Sequence, residues 1–196
     1  MKKQSSYLVV MLSLAVVFLF SCSRDYVPKP KGYNRLDLPP HEYQLLPDTL
    51  PYFFEYSKHA LLLKDTSIIS EPDWIEVYYP NLKADVHITY KKVKGDTQRL
   101  KEFMEDAYFL VSKHQVKAYA IDDIIMTSPS GKTFSIAELE GEVPSQFQFV
   151  CTDSVTNFLR GALYFNTRVN NDSLQPAIEF VKADVVHMMN TLEWKD

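Results

Sequence analysis

At 196 residues the chain has room for one domain, and its 46% hydrophobic and 23% charged residues are ordinary globular proportions that exclude a disordered, collagen-like or multi-span membrane protein. Lys and Arg number 21 against 25 Asp and Glu, giving a net charge of -4, so there is no basic surplus to neutralise a phosphate backbone and nucleic acid is not an expected partner. Two cysteines exclude a disulfide scaffold.

Lys2 and Lys3 precede an uncharged apolar run of 14 residues, Tyr7 to Phe20. The run is shorter than the roughly 20 residues needed to span a bilayer, and it suits the h-region of a secretion signal. It ends Leu19-Phe20-Ser21-Cys22, which resembles the lipobox of bacterial lipoproteins, where a small residue precedes the cysteine that is acylated and becomes the N-terminus. Phe20 departs from that pattern, since the position is commonly smaller. Residues 1–21 are therefore expected to be a lipoprotein signal peptide and Cys22 the lipid-attachment residue, the alternative being a plain secretion signal or an uncleaved anchor. Acyl chains such as palmitate would join the protein to the membrane, firmly when more than one is attached.

Residues 22–51 form a Pro-rich lead-in carrying six of the 11 prolines: Pro28, Pro30, Pro39, Pro40, Pro47 and Pro51. Proline fixes its own φ, removes a donor and biases its predecessor toward extended geometry, so the segment is expected to be extended and poor in helix. An inert spacer would be weakly hydrophobic, yet Tyr26, Val27, Tyr33, Leu36, Leu38, Tyr43, Leu45 and Leu46 lie among the prolines. Two readings stay open. The segment packs on its own domain, or Tyr26 to Pro40 is a recognition strip in which Tyr26, Pro28, Lys29, Pro30, Lys31, Tyr33 and Arg35 meet a partner.

Residues 52–196 read as a single α+β domain. Ile75, Val77 and Tyr79 alternate, Pro80-Asn81 breaks the run, and Ala84, Val86, Ile88 and Tyr90 then face opposite Lys83, Asp85, His87, Thr89 and Lys91. This predicts an antiparallel hairpin with one wet face. Asp96 is placed to cap a helix whose buried stripe is Leu100, Phe103, Met104, Ala107, Leu110 and Val111. Val116 to Thr127 and Thr133 to Leu139 predict a second hairpin around Pro129-Ser130-Gly131-Lys132. Gln146 to Thr152 and Phe158 to Thr167 predict a third around Asp153 to Asn157. Ser173 is expected to cap a last helix, with Pro176 in its first turn and Leu174, Ile178, Val181, Val185, Met188 and Leu192 buried. With no regular βαβ alternation, the fold class is α+β, an antiparallel β-sheet flanked by helices.

Chemistry-bearing patterns are sparse. His41, His59, His87, His114 and His187 form no HxH or HExxH spacing, so neither a metal site nor a cofactor is predicted. Asp184 and His187, one turn apart, read as an exposed helix pair. Cys151 shares the phase of Phe147 and Phe149 and reads as a buried small hydrophobe rather than a nucleophile. Gly131-Lys132-Thr133 lacks the earlier glycine of a phosphate loop, where Met126 stands instead. Asp122 and Asp123 would point to opposite strand faces, Glu138, Glu140 and Glu142 read as a solvated acidic edge, and Ser128 and Ser154 lack the glycines of a hydrolase elbow. No catalytic residue is assigned and no enzyme is expected.

Several strings taken together resemble one family. Asp25 to Tyr33 (DYVPKPKGY), Arg35 to Pro39 (RLDLP), Phe54 to Tyr56 (FEY), Cys151 to Ser154 (CTDS), Phe158 to Asn166 (FLRGALYFN), Asn171 to Leu174 (NDSL) and Glu193 to Lys195 (EWK) look like the GldD gliding-motility lipoproteins, in the same order and over essentially the whole chain beyond the signal. The resemblance implies an envelope lipoprotein required for bacterial gliding and tied to the type IX secretion machinery, with other gliding and secretion envelope proteins as partners. Only Cys22 carries over as a functional position. Ser23 after the cysteine, in place of the Asp of inner-membrane retention, and the lack in Ser23-Arg24-Asp25 of the acidic run linked to surface export give the periplasmic face of the outer membrane as the expected location. The strand and helix order also looks like a PsbP/Mog1-like α/β/α sandwich, an analogy that speaks to fold alone.

Overall fold

Segments with a two-residue apolar period build one seven-stranded sheet in the computed structural model, which describes residues 36–166 and 171–195. In chain order the strands are β1 (Tyr43–Leu45), β2 (Tyr52–Phe53), β3 (Glu55–Ser57), β4 (Leu61–Lys64), β5 (Ile75–Tyr79), β6 (Ala84–Lys92), β7 (Ala118–Thr127), β8 (Thr133–Gly141), β9 (Phe147–Thr152), β10 (Asn157–Phe165) and β11 (Glu193–Trp194). Helix α1 (Thr97–Ser112) follows β6, and helix α2 (Asn171–Asn190) follows β10. The sheet order is β4-β5-β6-β10-β9-β8-β7 with every pairing antiparallel. Strand β10 thus enters last and joins two halves made earlier in the chain. The architecture is α+β, an antiparallel sheet flanked by helices.

Side-chain parity along the strands assigns each helix a face. Ile75, Val77, Val86, Ile88, Phe134, Ile136, Phe147, Phe149, Cys151, Leu159 and Leu163 share one buried cluster with Ala177, Ile178, Val181, Val185 and Met188 of α2. The opposite parity supplies two smaller clusters: Phe158 with Ala107, Leu100, Phe103 and Met104 of α1, and Ala137 and Leu139 with Val111. One face is therefore the main core and the other is only partly roofed.

The three predicted hairpins are present in register. Val77 faces Val86, Ile124 faces Ile136, and Gly161 faces Phe149. Asp96 caps α1, accepting from the amides of Gln98 at 3.0 Å and Arg99 at 3.1 Å.

Three expectations need correction. In α1 only Ala107 is buried, and Leu110 is exposed, because the helix covers the sheet over β10 and leaves one flank of its apolar stripe open. The wet face of β6 is not wet throughout: Asp85 is buried beside Asn166, which donates to it at 2.6 Å, and His87, Thr89 and Lys91 are half-buried. Ser173 lies inside α2, which begins at Asn171, so Pro176 is interior to the helix rather than in its first turn.

The lead-in from residue 36 is built into the domain. Leu36, Leu38 and Leu50 pack against the core and Leu46 is buried. β1 pairs with β3, and β2 pairs with β11 at the end of the chain. Among the described residues, no helix is long and apolar enough to cross a membrane.

Candidate functional site

Cys22 and the residues Tyr26, Pro28, Lys29, Pro30, Lys31, Tyr33 and Arg35 lie outside the described residues. The remaining candidates can be placed. Cys151 is buried opposite Phe134 and Leu159, and burial pushes its thiol up to about 12, so it stays protonated and inert as expected of a core residue. Asp122 and Asp123 are both exposed on β7, opposite Glu138 and Ala137 respectively, and do not converge. Ser128 sits in the β7–β8 turn, where its hydroxyl accepts from the Lys132 amide at 3.1 Å. Ser154 occupies a left-handed turn position at φ 63°. Both serines shape turns.

The reading of Asp184 and His187 as an exposed pair is overturned. Asp184 is 1% exposed, and the two residues pair with different segments. His41 Nδ1 lies 2.6 Å from Asp184 Oδ1, and the Tyr79 hydroxyl donates to Asp184 Oδ2 at 3.2 Å. His187 Nε2 lies 2.6 Å from Glu55 Oε2, and its ring stacks on Tyr43 with centroids 3.5 Å apart. Burial, then the charge of Asp184, raises the Tyr43 hydroxyl to about 12. Tyr79 is raised by the same two causes in the same order. The cluster is full of titratable groups, and their contacts fasten residues 41–57 and the end of β5 to α2. Sequence spacing missed this because the partners are more than 100 residues apart.

The half-roofed face holds the candidate site. Where α1 stops covering the sheet, a groove of about 700 Å³ opens between the helix and strands β5, β6 and β10. That volume lies in the range of ligand pockets. Its floor comes from the outward parity of the strands, namely Glu76, His87, Thr89, Lys91, Phe158, Arg160 and Tyr164, and its rim includes Trp74, Phe103 and Phe109. Lys91 Nζ sits 4.7 Å from the Phe103 ring centre and 5.8 Å from that of Trp74, so cation–π attraction holds a charge over aromatic carbon. Lys113 Nζ lies 4.5 Å from the Phe109 ring. Arg160 is braced by Gln148 Oε1 at 2.5 Å, and burial together with the Arg160 charge lowers the His114 imidazole. At the edge of the groove Phe109 is 60% exposed, while Tyr108, 57% exposed, lies on the other flank of the helix.

The arrangement suits recognition: flat apolar surfaces bound a ligand from the sides, and Lys91, Lys113 and Arg160 present fixed donors. The sequence carried a signal for it. Polar positions of β6 pointed away from the core, and Tyr108 and Phe109 fell outside the buried stripe of α1. Neither signal says that the two surfaces meet.

A family model described as gliding motility lipoprotein GldD matches residues 23–194. No curated protein matches the chain. Among solved structures, cyanobacterial PsbP (CyanoP) from Synechocystis sp. PCC 6803 is similar at 10% identity and a TM-score of 0.45, over 82% of this chain and 97% of that one.

Proposed function

The chain belongs to the gliding motility lipoprotein GldD family, and we propose that it works without catalysis, as a lipid-anchored accessory protein that binds other components of the gliding and type IX secretion machinery. Cys22 is the acylated residue in this reading, and the domain faces the periplasm from the outer membrane. The observation that carries the interaction is the exposed pair Phe109 and Leu110 at the edge of the groove. Two adjacent large apolar residues exposed at the lip of a groove cost solubility unless something covers them, and aromatic residues dominate interface hot spots.

The test is a Phe109→Ser, Leu110→Ser double variant expressed in a gliding strain. Because both residues are exposed, the variant is expected to reach normal abundance and melting temperature while gliding and adhesin secretion fall. Normal motility at normal abundance would overturn the assignment of this surface.

A second reading, an envelope module for a small ligand or glycan, is favoured by Trp74, Phe103 and Tyr164 lining a groove with Thr89 and Arg160. Aromatic planes beside hydrogen-bonding groups suit a sugar ring as well as a peptide side chain. Binding of short envelope glycans that Tyr164→Ala, at the half-buried ring, abolishes at unchanged melting temperature would favour it over the first.

A further inference from the structure

We propose that Asp65, Glu76 and His87 form a binding site for one divalent transition-metal cation in the wall of the groove. The three side chains come from successive parts of the sheet. Glu76 on β5 and His87 on β6 are cross-strand partners, and Asp65 follows β4, its amide donating to the Trp74 carbonyl at 3.3 Å so that it runs beside the start of β5. One potential ligand atom from each lies within 4.8 Å of those of the others. All three are partly buried and all three line the groove.

The spacing is that of ligands sharing a centre rather than of partners in a hydrogen bond. His87 Nδ1 stands 3.7 Å from Glu76 Oε1, beyond hydrogen-bond length. Bonds of about 2.0 to 2.2 Å to a tetrahedral ion put two ligands about 3.4 Å apart. Among the described residues, the histidine–carboxylate pairs His41–Asp184 and His187–Glu55 are closed at 2.6 Å each. Across the sheet Glu76 lies between Asp65, whose Oδ1 also accepts from the Ser67 amide at 2.7 Å, and His87, and a dication held among them would neutralise the two carboxylates. The edge of Tyr164 meets the His87 ring, centroids 5.2 Å apart at 85°, and limits its rotation. The groove leaves the remaining coordination positions open, so a carbonyl or carboxylate of whatever enters could complete the shell. The site stands whether the groove receives a protein or a glycan.

One nitrogen and two oxygen donors suit Zn²⁺ or Mn²⁺ better than the all-oxygen ions Ca²⁺ and Mg²⁺. The full chain in detergent, stripped with EDTA and dialysed, is titrated with each ion by calorimetry, with metal content checked by mass spectrometry. One equivalent of Zn²⁺ or Mn²⁺ is expected, with Ca²⁺ and Mg²⁺ at least about tenfold weaker. Glu76→Gln and His87→Ala should each weaken binding at least about tenfold, while His59→Ala, at a half-buried ring outside the groove that is bonded to the Pro40 carbonyl, should not. Circular dichroism checks folding, and Asp65→Asn, outside the regular strands, decides the matter if His87→Ala misfolds. Absence of saturable binding, binding untouched by Glu76→Gln and Asp65→Asn, or equal affinity for Ca²⁺ would each overturn the site.

Discussion

His41 Nδ1 and Asp184 Oδ1 meet at 2.6 Å across 143 residues of chain, and the bond ties the segment leading out of the anchor to the helix that closes the core. Asp184 is 1% exposed, so its charge is tolerable only while His41 and the Tyr79 hydroxyl hold its two oxygens. The contact makes the start of the domain part of its core.

His41→Ala is therefore expected to leave a buried carboxylate short of one partner and to cost about 1 to 3 kcal/mol. Asp184→Asn should cost less, since the amide oxygen still accepts from Tyr79 and its NH₂ can donate to a neutral His41. Urea unfolding of the two variants gives the order. Equal stability of His41→Ala and wild type would show that the clasp contributes nothing.

Cys151 is buried between Phe134 and Leu159, with a thiol pushed up to about 12 by burial. Cys151→Ala should leave a small void, cost about 1 kcal/mol and keep gliding, whereas Cys151→Asp should bury an unpaired charge and abolish accumulation. A thiol reagent such as DTNB should react with Cys151 only after denaturation. Fast labelling of the native protein, or a stable but immotile Cys151→Ala strain, would make the thiol functional.

Much of the sheet was legible because its strands are long and alternate: β5, β6, β9 and β10 keep one parity buried over five to nine residues, whereas β8 switches from Phe134 and Ile136 to Ala137 and Leu139. β1, β2, β3 and β11 were not, because no period is visible over two or three residues, and β2 and β11 in addition find each other from opposite ends of the domain. The Phe158 to Asn166 string shows the limit clearly. Gly161 looks like a weak point in a strand, but a Cβ there would stand 2.2 Å from the Phe149 ring packed over it. Glycine is required by a neighbour on β9 that spacing alone does not identify. The groove escaped for the same reason: its floor and its roof are separately readable and their meeting is not.

Asp153 explains why Cys151 to Ser154 is followed by a tight turn. Its Oδ1 accepts from the amides of Val155, Thr156 and Asn157 at 2.9, 2.7 and 2.8 Å, and its Oδ2 from the Asn157 side chain at 2.6 Å. Burial pushes the carboxyl up, but the amide donors outweigh it and the net direction is down. A depressed carboxylate adds stability that is complete above the ordinary Asp range and is lost as pH falls through the folded value. Asp153→Asn should therefore destabilise at pH 7 by about 1 kcal/mol, modest because the loop is exposed and solvent screens it, and should flatten the acid limb of stability against pH. An unchanged acid limb would remove the carboxylate from the account.

The anchor-proximal strip can be exchanged short of the contacts that the described residues make with the core. Leu36 and Leu38 pack on the core and His41 holds Asp184, so a replacement running to Pro40 would mix lost recognition with lost stability. Exchanging Tyr26 to Arg35 for an equally long Gly/Ser linker keeps reach and leaves those contacts alone, while removing Tyr26, Tyr33, Arg35, Lys29, Lys31, Pro28 and Pro30. Aromatic and Arg anchors commonly carry about 2 kcal/mol or more each at an interface, so loss of all three from a recognition strip should abolish partner binding rather than weaken it. The expected result is an unchanged melting temperature with gliding and adhesin secretion lost. A drop of several degrees would mean that the strip packs on its own domain, and normal gliding with the flexible linker would reduce it to a tether.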